Sequence, residues 1–174
     1  MSHNASQLIE LAVQKNTLLT TAESCTGGLV SAALTDVSGS SEVYMQSVIV
    51  YDNASKIALL GVDELLIAQH GAVSAEVARA MADGATTKLH SVFPTHKGNF
   101  LSVSVTGIAG PSGESDDKPV GLVYNAASLL HENQLHTVHE EHHFKGDRAA
   151  VREQTVDAAL SLMQRLLALL ETNE

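Results

Sequence analysis

Residues 17–34 read TLLTTA-ESCTGG-LVSAAL, from Thr17 to Leu34. The first six are β-prone, the last six are apolar and free of helix breakers, and the six between carry hydroxyls and two adjacent glycines. That order dictates strand, tight turn, helix. In α/β proteins such a turn lies at the carboxyl end of a sheet strand, where ligands bind.

Upstream, Leu8, Ile9, Leu11 and Ala12 make the apolar stripe of a helix over 6–15, which Asn16 ends. Downstream, 44–51 is rich in Val, Ile and Tyr and predicts a strand. Asn53 is placed to cap a helix over 54–60, closed by Gly61. A short helix over 64–69 stops at Gly71, and Ser74 caps another reaching about 89, with Val77, Ala78, Met81 and Ala85 facing the core. Residues 100–105 form a third strand, and 120–130 with 134–144 a hairpin around His131-Glu132-Asn133. A last helix, 148–170, buries Val151, Val156, Ala159, Leu162, Met163, Leu166, Leu167 and Leu170. Alternation followed by adjoining strands predicts an α/β fold: a single three-layer α/β/α domain with a mixed, partly parallel sheet and an antiparallel hairpin.

Composition narrows the function classes. A chain of 174 residues is one domain's worth, and folding at this size buries about 70% of the unfolded surface. Ten Lys and Arg against twenty Asp and Glu give a net charge of −10, which argues against a nucleic-acid footprint. Aromatics at 3%, with no Trp, argue against base stacking. One Cys excludes an intrachain disulfide and a cysteine zinc site. No apolar run approaches the roughly 18 residues of a membrane span, and no basic start with a long apolar core marks a signal peptide. The expectation is a cytoplasmic protein with no nucleic-acid or membrane partner; a homodimer stays open.

Five segments could carry chemistry. On the predicted turn, Ser24 is a candidate nucleophile, and the N–H groups of Thr26, Gly27 and Gly28 at the helix start are candidate oxyanion donors. The plainer reading is a helix cap. Cys25 is either a rival nucleophile or a small buried hydrophobe. Lys56 falls in a first helical turn, where the dipole disfavours a cation, so it is either a base for the serine or a solvated surface lysine. Residues 105–111, VTGIAGP, allow close backbone approach to a ligand but match neither common phosphate-loop spacing. At Lys145-Gly146-Asp147-Arg148, Arg148 with the helix start could grip a phosphate. Finally His136, His139, His142 and His143 invite a metal, but period-two alternation puts His136 and His142 opposite His139 and His143. A solvated strand edge is the reading, and no metal or cofactor is expected.

Taken together, TAESCTGG (21–28), HGAVS (70–74), VTGIAGP (105–111) and GDR (146–148) resemble the CinA C-terminal domain family, over about 7–170. Stand-alone members are nicotinamide mononucleotide amidases. The resemblance implies hydrolysis of that nucleotide's carboxamide to nicotinate mononucleotide and ammonia without a cofactor. Ser24 matches the family's catalytic serine, and Lys56, with Tyr51 and Asn53, its Y-x-N-x-x-K pattern. Thr106, Gly107, Ala109, Gly110 and Arg148 become candidates for ribose and phosphate, and Tyr51 for ring contact. Two positions depart from the family's loop: Glu114 and Asp116 stand where Gly and Pro are common, adding negative charge. A nucleotide-binding regulatory paralogue without turnover is the rival reading, and a different carboxamide substrate a third.

Overall fold

A computed structural model describes residues 3–115 and 117–170. Its elements, in order, are α1 (His3–Gln14), β1 (Thr17–Glu23), α2 (Leu29–Thr35), a 3-10 turn (Ser40–Glu42) and β2 (Tyr44–Ile49). Then follow α3 (Asn53–Leu60), α4 (Glu64–His70), α5 (Ala75–Val92), β3 (Asn99–Gly107), β4 (Leu122–His131), β5 (Gln134–His143) and α6 (Arg148–Ala168).

Among the described residues the strands form one five-stranded sheet in the order β2-β1-β3-β4-β5. β1 pairs in parallel with both β2 and β3. β3–β4 and β4–β5 are antiparallel. The mixed α/β sheet expected from the sequence is therefore present. α1, α2 and α6 cover one face, where Leu8, Leu19, Val30, Leu101, Leu129, Leu160 and Met163 merge into the largest core. α3 and α5 cover the other, packing Leu60, Val77, Met81 and Ala85 against Ala22 and Val50. Central strands are buried throughout, hence the run of seven buried residues in β1. Leu19, Leu101 and Leu129 alone are fully or nearly fully buried aliphatics, each contributing about 1.5–3 kcal/mol of transfer free energy.

The structure shifts several expected boundaries. Helix α3 is capped by Asp52, whose side chain accepts from the Ala54 N–H at 2.8 Å; Asn53 is the first helical residue. Both side chains have the same capping chemistry, so the sequence left the choice to geometry. The second strand ends at Ile49, short of the expected Tyr51, although the Val50 N–H still donates to the Glu23 carbonyl of β1 at 2.8 Å. Thr106 and Gly107 belong to β3. The hairpin closes through Glu132 and Asn133, at φ 50° and 63°, a two-residue primed turn.

Candidate active site

At the carboxyl ends of β1 and β3 lies a cavity of about 170 Å³. Ser24 and Cys25 from the turn after β1, Lys56 and Asn53 from α3, and Tyr51 line it. So do Ala72 and Val73 between α4 and α5, Thr106, Gly107 and Ala109 of the β3 loop, and Arg148 of α6. Sequence spacing alone could not bring these segments together.

Lys56 is 1% exposed, among the largest fully buried side chains. Its Nζ lies 3.0 Å from the Val50 carbonyl oxygen, 3.3 Å from that of Tyr51 and 3.4 Å from Ser24 Oγ. Burial lowers its pKa from the ordinary lysine value, opposed by the Asp52 carboxylate. The count of partners matters. A neutral amine has two N–H groups and one lone pair. In that form the two backbone carbonyls would take the N–H groups and leave the lone pair toward Ser24; in the ammonium form the third N–H donates to Ser24 Oγ.

Ser24 is held in sheet register by its own N–H, which donates to the Val105 carbonyl at 3.1 Å. The expected oxyanion donors fare differently. The Gly28 N–H donates at 2.8 Å to Oε2 of Glu23, and the Gly27 N–H at 3.2 Å to the Ser24 carbonyl. Among the three, only the Thr26 N–H has no acceptor among the described residues. Glu23 is the reason. Its carboxylate is 0% exposed. It accepts from Thr26 Oγ1 at 2.7 Å, from the Val30 N–H at 3.2 Å and from the Ser31 N–H at 2.8 Å, besides Gly28. The start of α2 is thus an anion site that the protein fills with its own carboxylate. Gly27 and Gly28, at φ 60° and 104°, supply the left-handed backbone this turn requires. Within the motif TAESCTGG, nothing in the spacing assigns Glu23 a role. Its position at the end of an apolar strand was the signal, since glutamate is almost never buried unless paired.

The remaining residues form the walls. Thr106 Oγ1 donates to the Ala72 carbonyl at 2.8 Å, so its hydroxyl proton is committed. Arg148, the first residue of α6, is exposed; Nη1 donates to the Gly110 carbonyl at 2.7 Å and Nη2 to the Tyr51 hydroxyl at 3.3 Å. It bridges the mouth of the cavity. Gly110 enters only through that carbonyl. Tyr51 is 67% exposed and forms the outer rim. The Asn53 amide makes no hydrogen bond among the described residues, which leaves its donors free at the cavity.

Two unexpected tethers stiffen the site. Arg152 Nη2 donates to the Thr26 carbonyl at 2.7 Å. Lys118 Nζ donates to the carbonyls of His70 and Val73 at 2.7 and 2.8 Å, tying the two cavity loops together. Glu114 is exposed, and Asp116 lies outside the described residues.

Cys25 packs with Ala109, Val123 and Val151, and burial pushes its thiol up to about 11. A thiol held neutral is a poor nucleophile. On β5, His142 stacks on Phe144 with ring centroids 4.8 Å apart, and His143 meets Glu141 at 2.8 Å. No group of three potential metal ligands occurs among the described residues. No helix there is long and apolar enough to cross a membrane.

Comparison with known proteins gives the family. The CinA C-terminal domain matches residues 1–167. The chain belongs to the CinA C-terminal domain family. A CinA-like protein of Geobacter sulfurreducens is 45% identical over 154 residues, covering 88% of this chain and 34% of that protein. One from Citrifermentans bemidjiense is 46% identical over 149 residues, covering 86% and 33%. The chain therefore spans about a third of the length of these CinA relatives. Among solved structures, competence/damage inducible protein CihA from Agrobacterium tumefaciens superposes with a TM-score of 0.78 at 35% identity, covering 97% and 98% of the two chains. A CinA superfamily protein from Klebsiella pneumoniae gives 0.80 at 28% identity, with 95% and 96% covered.

Proposed function

We propose that this CinA-family chain is an amidohydrolase that deamidates nicotinamide mononucleotide to nicotinate mononucleotide and ammonia. The observation that carries the reading is the buried Lys56 Nζ at 3.4 Å from Ser24 Oγ, with two carbonyls for its N–H groups. A lysine so placed is a base, and a serine so placed has no other.

Neutral Lys56 takes the proton of Ser24 as Oγ attacks the carboxamide carbon. The start of α2 is occupied by Glu23, so the oxyanion finds its donors elsewhere: the free amide of Asn53 and the Thr26 N–H are the candidates. The Lys56 ammonium then protonates the leaving nitrogen, and ammonia departs from a nicotinoyl-serine ester. Lys56, neutral again, takes a proton from water, whose oxygen attacks the ester carbon. Nicotinate mononucleotide is released as the Lys56 ammonium returns that proton to Ser24 Oγ.

The cavity's 170 Å³ is below the usual range for a whole-ligand site, about 300–1,000 Å³. It suits the pyridine carboxamide, leaving ribose and phosphate to extend across the rim. Arg148 there keeps N–H groups beyond those facing Gly110 and Tyr51, and the helix start beneath it favours an anion. Tyr51 offers its ring to the pyridinium.

The test is ammonia release from nicotinamide mononucleotide, nicotinamide riboside, nicotinamide and the dinucleotide. The mononucleotide is expected to be the fastest substrate. Tight binding of it without ammonia release would make the chain a nucleotide-binding module instead.

A further inference from the structure

We propose that the cavity at the amino ends of β1 and β3, across the molecule from Ser24, is a second ligand site, for a small phosphate-bearing anion. The two sites are separated by the length of β1, seven residues or roughly 23 Å at 3.3 Å per residue. This second cavity has a volume of about 580 Å³, within the range of small-molecule sites.

Its charge is the first argument. Lys15, Lys97, His90, His96 and His131 line it, against a single carboxylate, Glu132. Counted with histidines neutral, two lysines against that one carboxylate leave a positive lining in a chain whose net charge is −10. Clefts lined by one sign of charge concentrate ligands of the other.

The second argument is rigidity. The His90 and His96 rings stand edge-on to Phe100, with centroids 5.0 and 5.2 Å away, and Phe100 is 2% exposed. His96 Nε2 meets the Asn16 carbonyl at 3.2 Å. The Asn99 amide donates to the Lys15 carbonyl at 3.0 Å, while its Oδ1 meets His131 Nδ1 at 2.8 Å. A Cβ on Gly98 would come within 1.8 Å of the Asn16 carbonyl oxygen, so only glycine lets these two loops close together. The walls are therefore preformed, which lowers the ordering cost of binding.

The third is vacancy of donors. Lys97 Nζ, both His90 nitrogens and the Asn133 side chain make no hydrogen bond among the described residues, although they line this cavity. They arrive from separate elements: the end of α5, the loop before β3 and the hairpin turn after β4. Donors converging from several directions suit a tetrahedral oxyanion better than a planar carboxylate.

The experiment is calorimetric titration of the full chain with inorganic pyrophosphate, beside Lys97→Glu, His90→Gln and Arg148→Ala. The wild type and Arg148→Ala are expected to bind within twofold of each other. Lys97→Glu should weaken binding at least tenfold and His90→Gln severalfold, with folding checked by circular dichroism. In the wild type, the Lys97 and Gly98 amide resonances should shift on titration. No binding at millimolar pyrophosphate, loss of binding in Arg148→Ala, or unchanged affinity in Lys97→Glu would each overturn the site. Equal affinity for citrate would overturn the phosphate class.

Discussion

Ser24 and Cys25 are adjacent in sequence and opposite in environment. The serine hydroxyl faces an amine, while the thiol is packed among Ala109, Val123 and Val151 and raised to about 11. Ser24→Ala is therefore expected to abolish turnover, and Cys25→Ala to keep most of it. Both rates should be read with circular dichroism; a dead but folded Cys25→Ala beside an active Ser24→Ala would reverse the roles. Native Cys25 should also resist iodoacetamide at pH 8. Lys56 sets the pH dependence. Burial lowers its pKa in the folded chain, and the neutral amine is the form that the proposed mechanism uses. The rate should rise with pH through an ionisation below the ordinary value of about 10.4. Stability runs the same way: the unfolded chain holds this proton more tightly, so stability increases with pH between the two pKa values. Lys56→Arg keeps a charge that does not ionise at working pH and should be nearly inactive. Near wild-type turnover in that variant would remove Lys56 from the chemistry.

At the scale of elements, the decisive arrangement is β1 running into α2 through a turn clamped by Glu23. The sequence motif pointed to strand, turn and helix, and those formed. What it did not reveal is that the helix start already holds an anion. A carboxylate meeting five donors, Thr21 Oγ1 at 3.3 Å among them, is in a different position from one in water, because each donor loses its partner if the charge goes. Glu23→Gln keeps the shape but sets an amide N–H against backbone N–H donors. It should cost about 2–4 kcal/mol, somewhat more than a single charge-assisted hydrogen bond. Urea unfolding measures this, and a change under 0.5 kcal/mol would show that the turn stands without the charge. α3 carries a similar lesson on a smaller scale. Asp52 and Asn53 are both good caps, and it is the extended backbone of Asp52, φ −92° and ψ 155°, that puts it at the helix boundary.

Over the whole molecule, the site is assembled from five segments spread between residues 24 and 148, and α6 closes it. Arg148 reaches the Gly110 loop and Tyr51 at once, far from the serine–lysine pair in sequence. Its loss should weaken substrate and transition state alike, raising KM about ten- to a hundredfold with kcat preserved. A fall in kcat at constant KM would place Arg148 in the chemistry. The histidines of β5 lie on an edge strand, apart from the cavity; His142 stacks on Phe144 and His143 pairs with Glu141. Activity is therefore expected to survive a chelator; loss on chelation and recovery with zinc would return those histidines to the mechanism.

The sequence by itself determined the layer architecture and the neighbourhood of the site. Hydrophobic period and turn chemistry are local properties, and they place Ser24 on a strand-to-helix turn and Lys56 in a first helical turn wherever the chain goes next. The four family motifs likewise named the segments that converge. Tertiary structure alone decided which polar groups find partners. Lys56 is buried with its Nζ against the carbonyls of Val50 and Tyr51. The oxyanion donors expected at Gly27 and Gly28 are unavailable because Glu23 and the Ser24 carbonyl accept from them. The cation-lined cavity joins residues as distant as Lys15 and His131, which no spacing rule connects. Burial and hydrogen-bond partnership depend on what the rest of the chain brings near, and these set the charge state on which the proposed chemistry rests.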